Sequence, residues 1–338
     1  MTEAVPIPDG ELLPWLVDDW DRLCRARASD RLPHALLLTG PRGVGKRWLG
    51  ELLTRALLCA DPLPDGRACG RCQDCRLSAA GSHPDLRRVV PDPESKSGEI
   101  GIDAVRALTD WASLTAGRGA RKQVVIDPAD RLNAAASNAL LKTLEEPPGA
   151  LLLCLVAEQP HRLPATIRSR CQLIRLGVPP PQQALAWLSP RLGGDVQGSS
   201  LRLAMARGAP LRALVELEPA TLKQHARLRA SLAGLARGEL DPVREADGWN
   251  GTGARLSLDW LAGWLCDLMR LAAAGPGARL DDPGSREAFA ELGPRLDPVA
   301  THRLLRRVFE ARGLTDTTVN PLLLLESLLI AWSRLNGH

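Results

Sequence analysis

Apolar residues recur along this chain in two rhythms. In the first half, short unbroken apolar runs alternate with segments of helical spacing. The runs are His34-Ala-Leu-Leu-Leu-Thr-Gly40, Lys122-Gln-Val-Val-Ile126 and Ala150-Leu-Leu-Leu-Cys-Leu-Val156. The last is too short to cross a membrane and predicts a buried parallel strand, the first predicts a short buried strand, and the middle one a second strand. Residues 11–32 carry Leu13, Trp15, Leu16, Trp20 and Leu23, which predict a helical lead-in packed on that sheet. A helix is predicted from Trp48 to Leu58, and another over Ala104–Leu114 with Asp103 as its N-cap. Ala136, Ala139, Leu140, Thr143 and Leu144 follow the i, i+3, i+4 spacing of a one-sided helix. Pro147 and Pro148 stop that helix, because proline lacks an N–H and restricts the residue before it.

The second rhythm begins at Val178-Pro-Pro-Pro181, which marks a boundary. Residues 182–218 predict a small helical lid built from Gln182–Leu188, Leu201–Ala206 and Pro210–Leu217. After Pro219 the chain is rich in leucine and alanine at helical spacing, broken at Gly248–Gly253, Gly275–Gly277 and Pro283-Gly284. Asn320-Pro321 is a good helix start, and Leu322–Leu335 is apolar on nearly every face, which predicts burial on more than one side. The expected organisation is an α/β domain over 1–177, a helical lid over 178–218 and an all-α domain over 219–338.

Composition narrows the class. At 338 residues, 45% hydrophobic and 24% charged, the chain is globular and long enough for two or three domains. The net charge of +4 permits contact with nucleic acid without arguing for it, since no dense basic stripe accompanies it. The start, Met1-Thr-Glu-Ala-Val-Pro, has no basic segment followed by an apolar run, so no secretory signal is expected. A cytoplasmic location follows, with the eight cysteines reduced or metal-bound.

Candidate chemistry falls in three places. Gly40-Pro-Arg-Gly43-Val-Gly45-Lys46-Arg47 lies between a strand and a helix, the phosphate-binding loop arrangement. Its glycines let N–H groups converge on an anion, the helix start adds partial positive charge, and Lys46 would reach the outer phosphates. Arg47 stands where a magnesium-ligating Ser or Thr is needed, and a guanidinium cannot ligate a cation. The loop alone therefore fits two readings, a nucleotide site and a loop that keeps only the shape. Next, Cys59, Cys69, Cys72 and Cys75 have the spacing of a closed, non-catalytic tetrathiolate zinc site. Redox Cys-x-x-Cys chemistry and free thiols are the alternatives, and His83 can replace one cysteine ligand. Last, Ser169-Arg170-Cys171 follows the third apolar run on a loop, where a bland surface arginine is the simplest account.

The words Ser137-Asn-Ala-Leu-Leu-Lys-Thr-Leu-Glu-Glu-Pro-Pro148 and Leu163-Pro-Ala-Thr-Ile-Arg-Ser-Arg-Cys171 resemble the AAA+ subunits of bacterial sliding-clamp loaders. The resemblance runs from Pro14-Trp15-Leu16 into the C-terminal third and is strongest over 34–171. It implies a RecA-like parallel sheet with flanking helices, a zinc module over 59–75, a lid, and a helical collar. It also implies a role in DNA replication, with ATPase motor subunits and a delta-type subunit as partners in a hetero-pentamer that handles the clamp and primed DNA. A working member carries Asp-Glu after the second strand; here Asp127 is followed by Pro128, which has no acid–base capacity. By the same resemblance the γ-phosphate sensor position is Ala157, beside Glu158, and the lid arginine position is Leu211, with Arg212 one residue late. These losses together argue against hydrolysis in cis and leave ATP binding there open. The Ser-Arg-Cys arginine of such subunits works in trans, so the resemblance gives Arg170 a role on a neighbour's nucleotide. Two other readings compete: an ATP-hydrolysing motor subunit, supported by Lys46 and Asp127, and a zinc-dependent nucleic-acid-binding module, weakened by the missing basic stripe.

Overall fold

Apolar strands of four to seven residues, each followed by an amphipathic helix, can bury both faces only by lying side by side beneath those helices. In the computed structural model, which describes residues 10–335 apart from 94, 96, 119–120, 216, 218, 294–295 and 316–318, they do so. The elements of the first half are α1 (Val17–Ala28), β1 (Ala35–Thr39), α2 (Lys46–Leu58), α3 (Gln73–Ala79), β2 (Leu86–Val89), α4 (Ile102–Ser113), β3 (Lys122–Ile126), α5 (Ala134–Glu145), β4 (Leu151–Ala157), α6 (Ala165–Arg168) and β5 (Gln172–Arg175). The five strands are all parallel, in the order β2-β3-β4-β1-β5. β1, β3 and β4 are buried at every residue, including Lys122 and Gln123 at the start of β3. One face of the sheet packs on α4 and α5 through Val105, Leu108, Val124, Leu140, Leu144 and Leu153.

The chain continues through α7 (Pro181–Arg191), α8 (Val196–Met205), α9 (Pro210–Val215), α10 (Pro219–Ala236), α11 (Pro242–Gly251), α12 (Ala254–Ala274), α13 (Ser285–Phe289), α14 (Pro298–Leu314) and α15 (Pro321–Leu335). Two compact units result. The first holds residues up to Trp187 together with Ala209–Arg212; the second holds Leu188–Gly208 and everything from Ala213 onward. In the second, Trp249, Trp264, Phe289 and Trp332 are fully buried in a helical core. Three buried indoles have partners: Trp249 donates to Ser231 Oγ, Trp264 to Asp282 and Trp332 to the Leu232 carbonyl. No helix among the described residues is long and apolar enough to cross a membrane.

Several sequence expectations need correction. Asp103 is not an N-cap: α4 starts at Ile102 after Gly101, and the Asp103 side chain is exposed beside Arg106. α5 is capped by Asn133, whose side chain accepts the Ala136 N–H. α8 begins at Val196 under an Asp195 cap, earlier than the spacing from Leu201 implies. α11 runs through Gly248 and Gly251, so the chain breaks only at Gly253. In α15, Leu325, Leu328, Leu329 and Trp332 are buried whereas Leu323 is 58% exposed, so its apolar surface is not all covered. β2 and β5 lie at the sheet edges, and their exposed arginines (Arg87, Arg88 and Arg175) hide them from hydropathy.

Candidate functional site: a closed phosphate loop, a thiolate cluster and an outlying arginine

A parallel sheet has two rims, and the candidate residues divide between them. β1 ends at Thr39 and runs into the glycine loop; β3 ends at Ile126 and runs into Asp127. These groups share the carboxyl rim. β5 begins at Gln172, level with Leu36 near the start of β1, and Arg170 precedes it by two residues. The strand between the level of Gln172 and the end of β1 spans roughly 10 Å. Arg170 thus belongs to the opposite rim from its own chain's phosphate loop.

At the carboxyl rim the loop keeps its backbone shape. Gly40, Gly43 and Gly45 all have positive φ, and Gly45 leads directly into α2. At Gly43 the requirement is also steric, since an added Cβ would lie 2.5 Å from the Arg212 Cβ. The approaching segment is Ala209–Arg212, and the Leu211 N–H donates to the Gly43 carbonyl at 3.1 Å. The loop is braced from the N-terminal side as well: Trp15 donates to the Val44 carbonyl and Trp48 to the Glu11 carbonyl. Trp15 in turn stacks edge-on against Trp187, 5.2 Å between centroids.

The charges within this rim are held partly by one another and partly by the backbone. Lys46 is buried and its Nζ donates to the Pro41 carbonyl at 2.8 Å. Burial lowers its pKa, opposed by the carboxylates of Glu158, Asp127 and Asp130. Arg47, the residue in the magnesium-hydroxyl position, places its Nε on an Asp127 carboxylate oxygen. Burial raises the Asp127 pKa, and the Arg47 guanidinium opposes that rise. Asp130, two residues on, accepts the N–H groups of Glu158 and Gln159 and so anchors the loop after β4. Pro128 carries no acid–base group, and Ala157 is a buried end of β4 with no polar side chain. A positive charge thus already sits on the carboxylate that would help hold a divalent cation.

Cys59, Cys69, Cys72 and Cys75 do converge: their four sulfurs lie within 4.8 Å of one another. The Cys59–Cys72 and Cys69–Cys75 separations are both 3.9 Å. Sulfurs at tetrahedral corners of a zinc ion, with Zn–S of about 2.3 Å, stand roughly 3.8 Å apart. The backbone supplies donors suited to thiolates, with the N–H groups of Cys69, Cys72 and Cys75 aimed at Cys59, Cys69 and Cys72. Backbone N–H groups of Arg71 and Cys72 hold the Cys69 thiol down to about 6. Four sulfurs in this arrangement can hold a metal ion and leave no place for a fifth ligand. His83 is not among them. It is buried, accepts the Asp85 N–H through Nδ1, and turns Nε2 toward Asp74 at 3.4 Å. Asp74, between two of the cysteines, also receives Arg118 at 2.7 Å, tying the module to the rest of the unit.

On the opposite rim, Arg170 makes two contacts: Nη2 on Glu145 Oε1 at 2.6 Å and Nη1 on the Thr166 carbonyl at 3.0 Å. Its side chain is 36% exposed and that of Glu145 50%. Cys171 beside it is buried, with its thiol pushed up to about 11 by desolvation. Sequence reasoning missed the Arg47–Asp127 and Arg170–Glu145 pairs, because their members lie far apart in the chain. The only signal for the first was an arginine in a place that forbids one.

A five-stranded parallel sheet with a phosphate loop after β1, an acidic residue after β3 and helical units beyond defines an AAA+ protein of the P-loop class. Residues 18–180 match the family described as "DNA polymerase III, delta subunit", and residues 219–334 match "DNA polymerase III, delta subunit, C terminal". The chain belongs to the DNA polymerase III subunit delta' family. It is 34% identical to that subunit of Pseudomonas aeruginosa over 97% of this chain and 99% of the relative. It is 35% identical to that of Escherichia coli over 94% of both chains. The DNA polymerase III subunit tau of Bacillus subtilis is 35% identical over 44% of this chain and 26% of its own.

Proposed function

We propose that this chain is a non-motor subunit of a DNA polymerase III clamp loader. It helps place the sliding clamp on primed DNA by lending Arg170 to a neighbouring subunit's ATP. The observation that carries the reading is the contrast between the rims. The local carboxylate Asp127 is neutralised by Arg47, which leaves no built place for magnesium. The exposed Arg170 stands on the rim away from its own loop. On a neighbour's γ-phosphate, a planar guanidinium offers paired N–H donors to oxygens on which charge develops during transfer. Hydrolysis then depends on both subunits, while the nucleotide, its metal and the attacking water belong to the neighbour.

In this reading the four cysteines carry structural zinc, which folds the 59–75 segment and takes no part in the reaction. The partners are the ATPase motor subunits and a delta-type subunit of a hetero-pentamer, with the clamp and primed DNA met through the complex. The all-α residues 219–338 serve as the collar that joins the subunits, and 178–218 as the lid. The test is a complex reconstituted with Arg170→Ala. DNA-stimulated ATP turnover is expected to fall about 10³-fold or more with assembly intact. Unchanged turnover in a fully assembled mutant complex would remove Arg170 from the mechanism.

A further inference from the structure

Glu145 has no evident reason to be acidic for the sake of its own helix. It is the last residue of α5, where the helix dipole disfavours a carboxylate. Its carboxylate instead meets Arg170, while the Thr166 carbonyl takes the other terminal nitrogen. A guanidinium has five N–H donors. One, on Nη1, is hydrogen-bonded here to the Thr166 carbonyl, while Glu145 meets Nη2 as an ion pair, which leaves Nε–H and the outer N–H groups for a phosphate.

Two roles are open to such a pair, a lock that withholds the arginine or a brace that orders it. Magnitudes decide between them. An ion pair with both members this exposed changes an equilibrium by a factor of about five at most. An arginine finger changes a rate by about 10³–10⁵. A factor of five cannot withhold such a group from a phosphate, but it can bias a long, flexible side chain toward one extended arrangement.

We propose that Glu145 is a positioning residue that pre-orders Arg170 for a neighbour's nucleotide. This rests on the trans role of Arg170 proposed above and names the residue that serves it. It acts through Arg170 and touches no substrate.

The experiment uses the reconstituted complex with clamp, primed DNA and ATP. Glu145→Ala is expected to lower kcat about three- to fivefold with KM for ATP unchanged, since the neighbour's own loop binds the nucleotide. Glu145→Gln, which keeps an acceptor oxygen and protects against a folding artefact, should fall between the two. Glu145→Ala combined with Arg170→Ala should match Arg170→Ala alone. A further loss in the double variant would mean an independent structural role and overturn the proposal. Raised turnover in Glu145→Ala would mean a lock, and unchanged kcat would mean an idle pair; either also overturns it. An inert Arg170→Ala would bring down the finger reading and this one together, whereas the other failures touch Glu145 only.

Discussion

Two arginine–carboxylate pairs sit on opposite rims of one sheet, and their surroundings give them opposite fates. Asp127 is 14% exposed and receives Arg47 from the first turn of α2. Glu145 is half exposed and receives Arg170 from a loop. A mostly buried carboxylate must be neutralised, so the first pair is a permanent part of the fold. The second pair faces water and holds weakly. The same side-chain chemistry is thus held within the fold in one place and left at the surface in the other. The exposure of the carboxylate decides which, since Arg47 and Arg170 are similarly exposed at 41% and 36%.

The largest test of this contrast is a crossed comparison in the complex. Arg170→Ala should abolish most stimulated turnover without moving the thermal midpoint of the isolated chain. Arg47→Ala should move the midpoint and leave turnover per assembled complex unchanged. Reversed outcomes in steady-state ATPase assays and melting curves would break the comparison.

Arg47→Ala should cost about 1–3 kcal/mol by denaturant titration, because Asp127 is left buried without its partner. The pH dependence follows from signs. Burial already raises the folded pKa of Asp127 above its ordinary value, so its contribution favours folding at low pH and is lost as pH rises through the folded value. Losing Arg47 removes an opposing cause and raises that pKa further. The variant's deficit should therefore be small in acid and grow as pH rises past the carboxylate range. A deficit independent of pH would place the damage elsewhere.

Cys69→Ser should remove bound zinc, read by metal analysis, and lower the midpoint by on the order of 5 °C. Turnover per folded complex should not change. Metal-free wild-type protein of normal stability would count against the site. The smallest expected effect is that of Lys46→Ala, which should leave turnover of the complex unaltered. A clear loss would restore the motor reading, in which this chain hydrolyses ATP itself.

Much of the architecture was legible in residue order. The unbroken runs at 34–40, 122–126 and 150–156 correspond to β1, β3 and β4, the strands buried on both faces. The glycine loop and the four cysteines were visible as spacing, because each lies within one short stretch. Edge strands β2 and β5 were not, since half-exposed strands carry arginines that break the hydropathy pattern. Helix starts were least legible: Asp103 has the chemistry of a cap, but the helix begins before it.

By itself, then, the sequence determined which elements form and which chemical groups the chain owns, because periodicity and motif spacing are local properties. Only the tertiary structure decided what those groups face. It joined Arg47 to Asp127 across eighty positions of chain, set Glu145 against Arg170, brought Leu211 to the Gly43 carbonyl, and turned His83 from the cysteines toward Asp74. Charge neutralisation and burial act through space, and strand order sets which distant residues share a rim.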